Sequence, residues 1–145
     1  MIERKLEDIH DDLSSNVTQI YNRNDLLTAL DLVYHSVVRF KFRKHWVPRG
    51  WVEVLIIGDT REGKSDSIKK IIQHYKAGEF CEGESVSMAG LLGGIQAIGK
   101  RNTVTWGKIP LNDRRLVAID EVSGMTSEQI SLFSGIRSSG IAQIT

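Results

Sequence analysis

Two short stretches carry residues whose types and spacing can do chemistry. The first is Gly58-Asp59-Thr60-Arg61-Glu62-Gly63-Lys64-Ser65, the pattern G-x-x-x-x-G-K-S. Glycines at its two ends let the backbone curl so that several N–H groups point inward at phosphate oxygens. A lysine at position 64 can reach β- and γ-phosphates, and a serine hydroxyl at 65 can ligate Mg²⁺. The candidate cofactor-binding set is Gly58, Asp59, Thr60, Arg61, Glu62, Gly63, Lys64, Ser65 and the adjoining Asp66. The second stretch is Leu116-Val117-Ala118-Ile119-Asp120-Glu121, four apolar residues that end in adjacent carboxylates. Asp120 can hold a Mg²⁺ shell, and Glu121 can polarise the water that attacks a γ-phosphate. Ser65 and Asp120 are thus the candidate metal residues, and Lys64 and Glu121 the candidate catalytic ones. ATP and Mg²⁺ are the implied cofactors. Alone, an apolar run ending in Asp-Glu usually marks a strand that runs into a turn; downstream of a phosphate loop it acquires a use.

These groups need elements to hold them. Val52, Val54, Leu55, Ile56 and Ile57 form a short β-branched apolar run, which predicts a strand buried on both faces of a parallel sheet. After the loop, Ile68, Ile71, Ile72 and Tyr75 recur at helical spacing, predicting a helix over 64–76. Phosphates would then sit at a helix N-terminus, where the dipole favours them. Leu116–Ile119 predicts a second buried strand, with the acids at its carboxyl edge, where ligands bind in open α/β sheets.

The remaining chain is read in the same way. Leu6, Ile9 and Leu13 stripe a short charged helix over 3–13, which the polar patch Ser14-Ser15-Asn16 should break. Asn24 is a plausible cap for a helix of about four turns, whose face carries Leu26, Leu27, Leu30, Val33, Val37 and Phe40. Residues 39–50, RFKFRKHWVPRG, alternate cations with aromatics. They suit either a nucleic-acid contact or, the preferred reading, a solvated connector whose aromatics cover the core. Gly78 is expected to cap the helix of the loop, residues 84–87 to form a short strand, and Ser87 to cap a helix over 88–98 weakened by Gly93 and Gly94. Asn102–Leu111 reads as a hairpin, 126–137 as an amphipathic helix capped by Thr126 or Ser127, and 141–145 as a strand.

Composition bounds the reading. A chain of 145 residues makes one domain or part of one, and its 41% apolar content suffices for a core. The net charge of +1 argues neither for nor against nucleic acid. Cys81 is the single cysteine, which excludes an internal disulfide and fits a reducing compartment. His10, His35, His45 and His74 show no metal-site spacing. No apolar stretch approaches the ~18 residues of a membrane span, and the charged N-terminus is not a secretory signal. The expectation is an intracellular protein, cytoplasmic or, in a eukaryote, nuclear, with no membrane partner.

The predicted order is strand, phosphate loop, helix, strand, helix, hairpin, acidic strand, helix. It resembles the AAA+ ATPase core, and within it the minichromosome maintenance (MCM) replicative helicases. IYNRNDLLTAL (20–30) is similar to the family's Ile-Tyr-Gly-His-Glu…Ala-Leu segment. RGWVEVLIIGDTREGKS (49–65) resembles its Arg-Gly-Asp…Gly-Asp-Pro…Ala-Lys-Ser stretch. GESVSMAGLLGGI (83–95) resembles its Gly-Lys-Gly-Ser-Ser…Gly-Leu-Thr helix, and GKIPLNDRRLVAIDEVSGM (107–125) its Gly-Ala-Leu-Val-Leu-Ala-Asp…Ile-Asp-Glu…Lys-Met run. The resemblance covers roughly residues 20–145, leaving 1–19 as an N-terminal helical or linker segment.

The resemblance implies a three-layer α/β/α P-loop NTPase core with a largely parallel sheet. It implies an ATP- and Mg²⁺-dependent motor that drives DNA unwinding when assembled in a homo- or hetero-oligomeric ring. The family's channel-facing hairpin would fall at 98–111, where Lys100 and Arg101 either contact DNA or solvate a loop. The sequence departs from the family's loop at Asp59-Thr60-Arg61-Glu62-Gly63, where small residues are usual, and at Arg114-Arg115. The family's sensor asparagine, arginine finger and helical lid find no counterpart here, so the chain reads as a core truncated before them, with feeble hydrolysis by itself. Two other readings stand beside the motor: a non-hydrolysing nucleotide-dependent regulatory or assembly module, and another AAA+ remodelling ATPase.

Overall fold

The computed structural model describes residues 5–144. It divides into two compact units, residues 1–77 and 78–145. The class is α/β as expected, with helices and a parallel strand pair.

The first unit opens with α1 (Leu6–Asp12), which runs directly into a π-helical turn over Leu13–Thr18. Ser14-Ser15-Asn16 therefore does not break the helix; residues 3 and 4 of the expected segment lie outside the described residues. The wider turn lets Leu13 and Ser14 face inward together, and fully buried Thr18 ends it by donating its hydroxyl to Leu13 O (3.3 Å). Helix α2 (Asn24–Tyr34) is shorter than predicted: Arg23 takes the cap position, and Val37 and Phe40 lie beyond its end. The Ser36 hydroxyl bonds Val33 O (2.8 Å), and the chain leaves the helix there. Helix α3 (Lys64–Tyr75) follows the phosphate loop as predicted. It ends at left-handed Lys76, not at Gly78.

Leu13, Leu26, Leu27, Leu30 and Ile71 form the core of this unit, with Ile9, Val17, Ile56 and Ile68 around it. Tyr34 and Tyr75 close one end, their rings 4.6 Å apart. Burial and then the neighbouring Tyr75 push the Tyr34 phenol up to about 12, so it stays protonated and donates to Ala77 O (2.9 Å). Leu27 is 1% exposed and sits at the centre of this cluster. Leu27→Ala is expected to cost about 2–5 kcal/mol, the lost burial plus the cavity left behind. Urea denaturation measures it, and a loss below about 1 kcal/mol would show that the unit collapses into the space.

Two further expectations fail in this unit. Val52–Ile57 forms no strand and pairs with none among the described residues. The strand pair of the unit, β1 (Phe40–Phe42) with β2 (His45–Val47), is an antiparallel hairpin closed on itself. Ile56 alone of the run packs on the core, while Leu55 and Ile57 are 75% and 85% exposed. The basic stretch at 39–50 is that hairpin. Its tip, Arg43-Lys44, takes positive φ at both residues, as a tight two-residue turn requires. Its aromatics do not cover the core: Phe42 and Trp46 are each 59% exposed.

The second unit is built on β3 (Gly78–Glu82) and β6 (Leu116–Asp120), paired in parallel from Gly78↔Leu116 to Glu82↔Asp120. β6 was predicted; β3 lies earlier than the expected strand at 84–87, which is instead a turn and its exit. Helix α4 (Met88–Leu91) has the predicted Ser87 cap, which accepts from Gly90 N (3.1 Å), but stops after one turn. Gly93 takes a φ of +116, and the chain turns into β4 (Gly93–Ile98). β4 pairs with β5 (Arg101–Trp106), so the hairpin spans 93–106 and not 102–111. Residues 108–111 are helical, as α5 (Lys108–Leu111). The Lys108 ammonium (2.8 Å) and the Asn112 amide (2.9 Å) hold α5 to Glu79 on β3. Their hydrogen bonds keep the Glu79 carboxyl below its usual range.

Helix α6 (Ser127–Ser139) carries a capping box in which Thr126 Oγ1 accepts from Gln129 N, and Gln129 Oε1 from Thr126 N (2.7 Å). Phe133 and Ile136 pack on the core of Leu91, Leu92 and Met125, whereas Ile130 is half exposed. Residues 141–144 form no strand, and Thr145 lies outside the described residues. Cys81 is buried on β3.

Candidate functional site

The phosphate loop lies wholly in the first unit. Gly63 holds a left-handed φ of +76 and caps α3. A side chain there would also strike Ile20 Cδ1, 2.7 Å from its Cβ. Both facts demand glycine, and together they turn the chain sharply from loop to helix. α3 starts directly at the loop, and a helix N-terminus is where the dipole favours an anion. Arg61 also takes a positive φ, of +65.

Lys64 folds back over the loop. Its Nζ donates to Gly58 O (2.8 Å) and to Asp59 O. The ammonium thus sits across the loop opening, where it can meet phosphate oxygens in place of carbonyls. A Cβ at Gly58 would lie 2.8 Å from Glu62 Oε2 and 3.6 Å from Lys64 Nζ, so that glycine keeps room for both. Glu62 is in turn paired with Arg23 at 3.4 Å. Arg23, Asp25, Leu26, Ile56, Ile57, Glu62 and Lys64 line a hollow of about 60 Å³ beside the loop. Asp66 points along the helix to Lys70 (2.9 Å), and Lys70 also donates to Thr18 O (2.8 Å), tying α3 to the π-helical turn.

The acidic pair lies in the second unit. β6 ends at Asp120, whose Oδ1 accepts from the Glu121 N–H (3.0 Å). Glu121 takes a left-handed conformation, φ +53 and ψ +46, which is uncommon for a non-glycine residue. The turn sends the chain off the sheet edge and leaves the Glu121 side chain exposed. Gly83 packs against this edge: its N–H donates to Asp120 O (2.8 Å), and a Cβ there would meet that oxygen. Lys100 stands at the tip of the β4–β5 hairpin, after Gly99 at φ +64, with Arg101 opening β5. Among the described residues no cluster of His, Cys, Asp and Glu forms a ready metal site, and no helix is long and apolar enough to cross a membrane.

The structure therefore gathers Gly58 to Ser65 about one loop and sets Asp120 and Glu121 together at one strand end. Sequence reading missed Arg23 and Ile20, which come from the segment before α2 and shape the loop from outside. The available signal was the acid at 62, since a carboxylate in a phosphate loop calls for a cation nearby.

Comparison with known proteins gives the chain a family. A family model described as the MCM P-loop domain matches residues 2–139. The chain belongs to the MCM family. DNA replication licensing factor MCM2 of Arabidopsis thaliana is 24% identical over 133 residues, which make up 90% of this chain and 14% of that protein. The chain thus spans about one seventh of the length of this MCM relative. Within MCM terms it is a P-loop module, the class of site that binds nucleotide.

Proposed function

We propose that this chain is the nucleotide-binding module of an MCM-type motor, taking ATP with Mg²⁺ at Gly58–Ser65. The observation that carries the reading is the loop itself: Gly63 in the left-handed region at the start of α3, with the Lys64 ammonium turned back across the opening. Lys64 would bind the β- and γ-phosphates, and Ser65 would ligate Mg²⁺. Asp120 would support the ion's shell and Glu121 would polarise the attacking water, roles drawn from the acidic motif that each belongs to. Mg²⁺ would supply charge neutralisation on the phosphates. In the assembled ring of a longer protein, turnover would be coupled to DNA unwinding. Titration of the chain with Mg·ATP in a calorimeter tests the first step: saturable binding is expected, and none would remove the reading.

DNA is the proposed macromolecular partner. The tip of the β4–β5 hairpin offers Lys100 and Arg101. The β1–β2 hairpin adds support of another kind. Arg39 and Lys41 lie 5.1 Å from the Trp46 ring centroid, and Arg43 lies 5.4 Å from that of Phe42. Exposed rings flanked by cations suit stacked bases and their phosphates. Trp46→Ala is expected to weaken single-stranded DNA binding about tenfold, given ~1–3 kcal/mol per stacked base. Fluorescence anisotropy with a labelled oligothymidine at two salt concentrations measures it. Unchanged affinity would return the hairpin to a solvated connector.

A further inference from the structure

The phosphate loop carries a carboxylate of its own beside its first glycine and its lysine. Glu62 Oε2 lies over Gly58, close enough that a Cβ on that residue would come within 2.8 Å of it. Lys64 Nζ shares the same space, 3.6 Å from that Cβ. Arg23 holds the other side of the carboxylate at 3.4 Å. The hollow beside the loop, about 60 Å³, is lined by Arg23, Glu62 and Lys64 together with Asp25 and an apolar wall. A triphosphate bound on the loop would meet the Glu62 carboxylate as a like charge where it stands.

We infer that Glu62 is a built-in competitor for the phosphate cradle, and that Arg23 holds it in place. The inference rests on the nucleotide reading above. It adds that binding has two linked parts. The Glu62 carboxylate swings off Gly58 and vacates the loop. Arg23 then loses its counter-ion and becomes a cation beside the incoming phosphates. Both ends of the pair are about one third exposed, at 36% each, so the pair can part without stranding a buried charge. Arg23 is a positioning residue, since it acts on the loop through Glu62.

Glu62→Gln keeps the side-chain volume and removes the charge. It is expected to tighten Mg·ATP binding about tenfold, the scale of one like-charge repulsion removed at short range near a protein surface. A double-mutant cycle with Arg23→Gln separates this from a merely structural role. In the Glu62→Gln background Arg23 has lost its ion-pair partner, so Arg23→Gln should weaken binding severalfold. In the native background the same change should cost less, because Glu62 already neutralises that charge. Calorimetry of the full chain and the three variants gives all four affinities, with circular dichroism to confirm the fold. Unchanged or weaker binding by Glu62→Gln, with the native chain still binding, overturns this inference alone. Equal effects of Arg23→Gln in both backgrounds overturn the role of Arg23. Absence of binding by every variant, all folded, removes the nucleotide reading and this inference with it.

Discussion

Replacing Lys64 with alanine is expected to reduce Mg·ATP affinity by at least about a hundredfold. The Lys64 side chain brings the loop's own ammonium to its opening, where it now donates to Gly58 O and Asp59 O. Bound phosphate would exchange those neutral acceptors for anionic ones, so that each bond joins opposite charges. Two such bonds at ~1.5–3 kcal/mol each make a hundredfold loss a lower figure. The fold should survive. Lys64 is not part of the Leu27–Ile71 core, and α3 keeps its Gly63 cap and its Lys70 anchor to Thr18. Calorimetry with Mg·ATP, beside a thermal melt of the same sample, reads both. A variant that melts like the native chain and binds ATP as tightly would place the phosphates elsewhere.

Local chemistry was legible in the sequence and long-range pairing was not. The loop, the start of α3 and the Thr126–Gln129 box follow from residues within a few positions of one another, so motif spacing found them. The strand β6 and its acidic end were found because four apolar residues running into Asp-Glu leave few alternatives. The β4 strand was missed because Gly93–Ile98 was read as the tail of α4. What makes it a strand is its register against β5, from Gly93↔Trp106 to Ile98↔Arg101. No local propensity announces that, although two glycines already argued against a helix. The β1–β2 turn was hidden for a related reason: Arg43-Lys44 lacks the asparagine or glycine that tight turns favour, and strand pairing imposes the positive φ. Val52–Ile57 erred the other way. Its composition is that of a buried strand, yet a strand needs a neighbour for its backbone groups, and composition does not supply one. At the site, the Arg23–Glu62 pair joins residues far apart in sequence, and only folding brings them to one loop.

Glu121→Gln is expected to leave Mg·ATP binding within about twofold of native and to bring hydrolysis down to the uncatalysed background. General-base assistance contributes ~10²–10⁴-fold to rates of this kind, and an amide cannot accept the proton of the attacking water. The substitution should leave the packing undisturbed. Glu121 is exposed, lies at the end of β6 and holds a left-handed backbone conformation that non-glycine residues adopt at a cost. Its neighbour Asp120 is anchored by accepting the Glu121 N–H, so substitution of the Glu121 side chain leaves that backbone hydrogen bond intact. The isolated chain should turn over slowly even in native form, since a trans arginine contributes ~10³–10⁵ in related phosphoryl transfers. The measurement must therefore be single-turnover, with labelled ATP under excess protein and followed for hours. Native decay above background with none in Glu121→Gln supports the catalytic assignment. Decay at background in both, with binding intact, assigns the chain to the non-hydrolysing class of nucleotide-dependent modules, and equal decay above background strips Glu121 of its role.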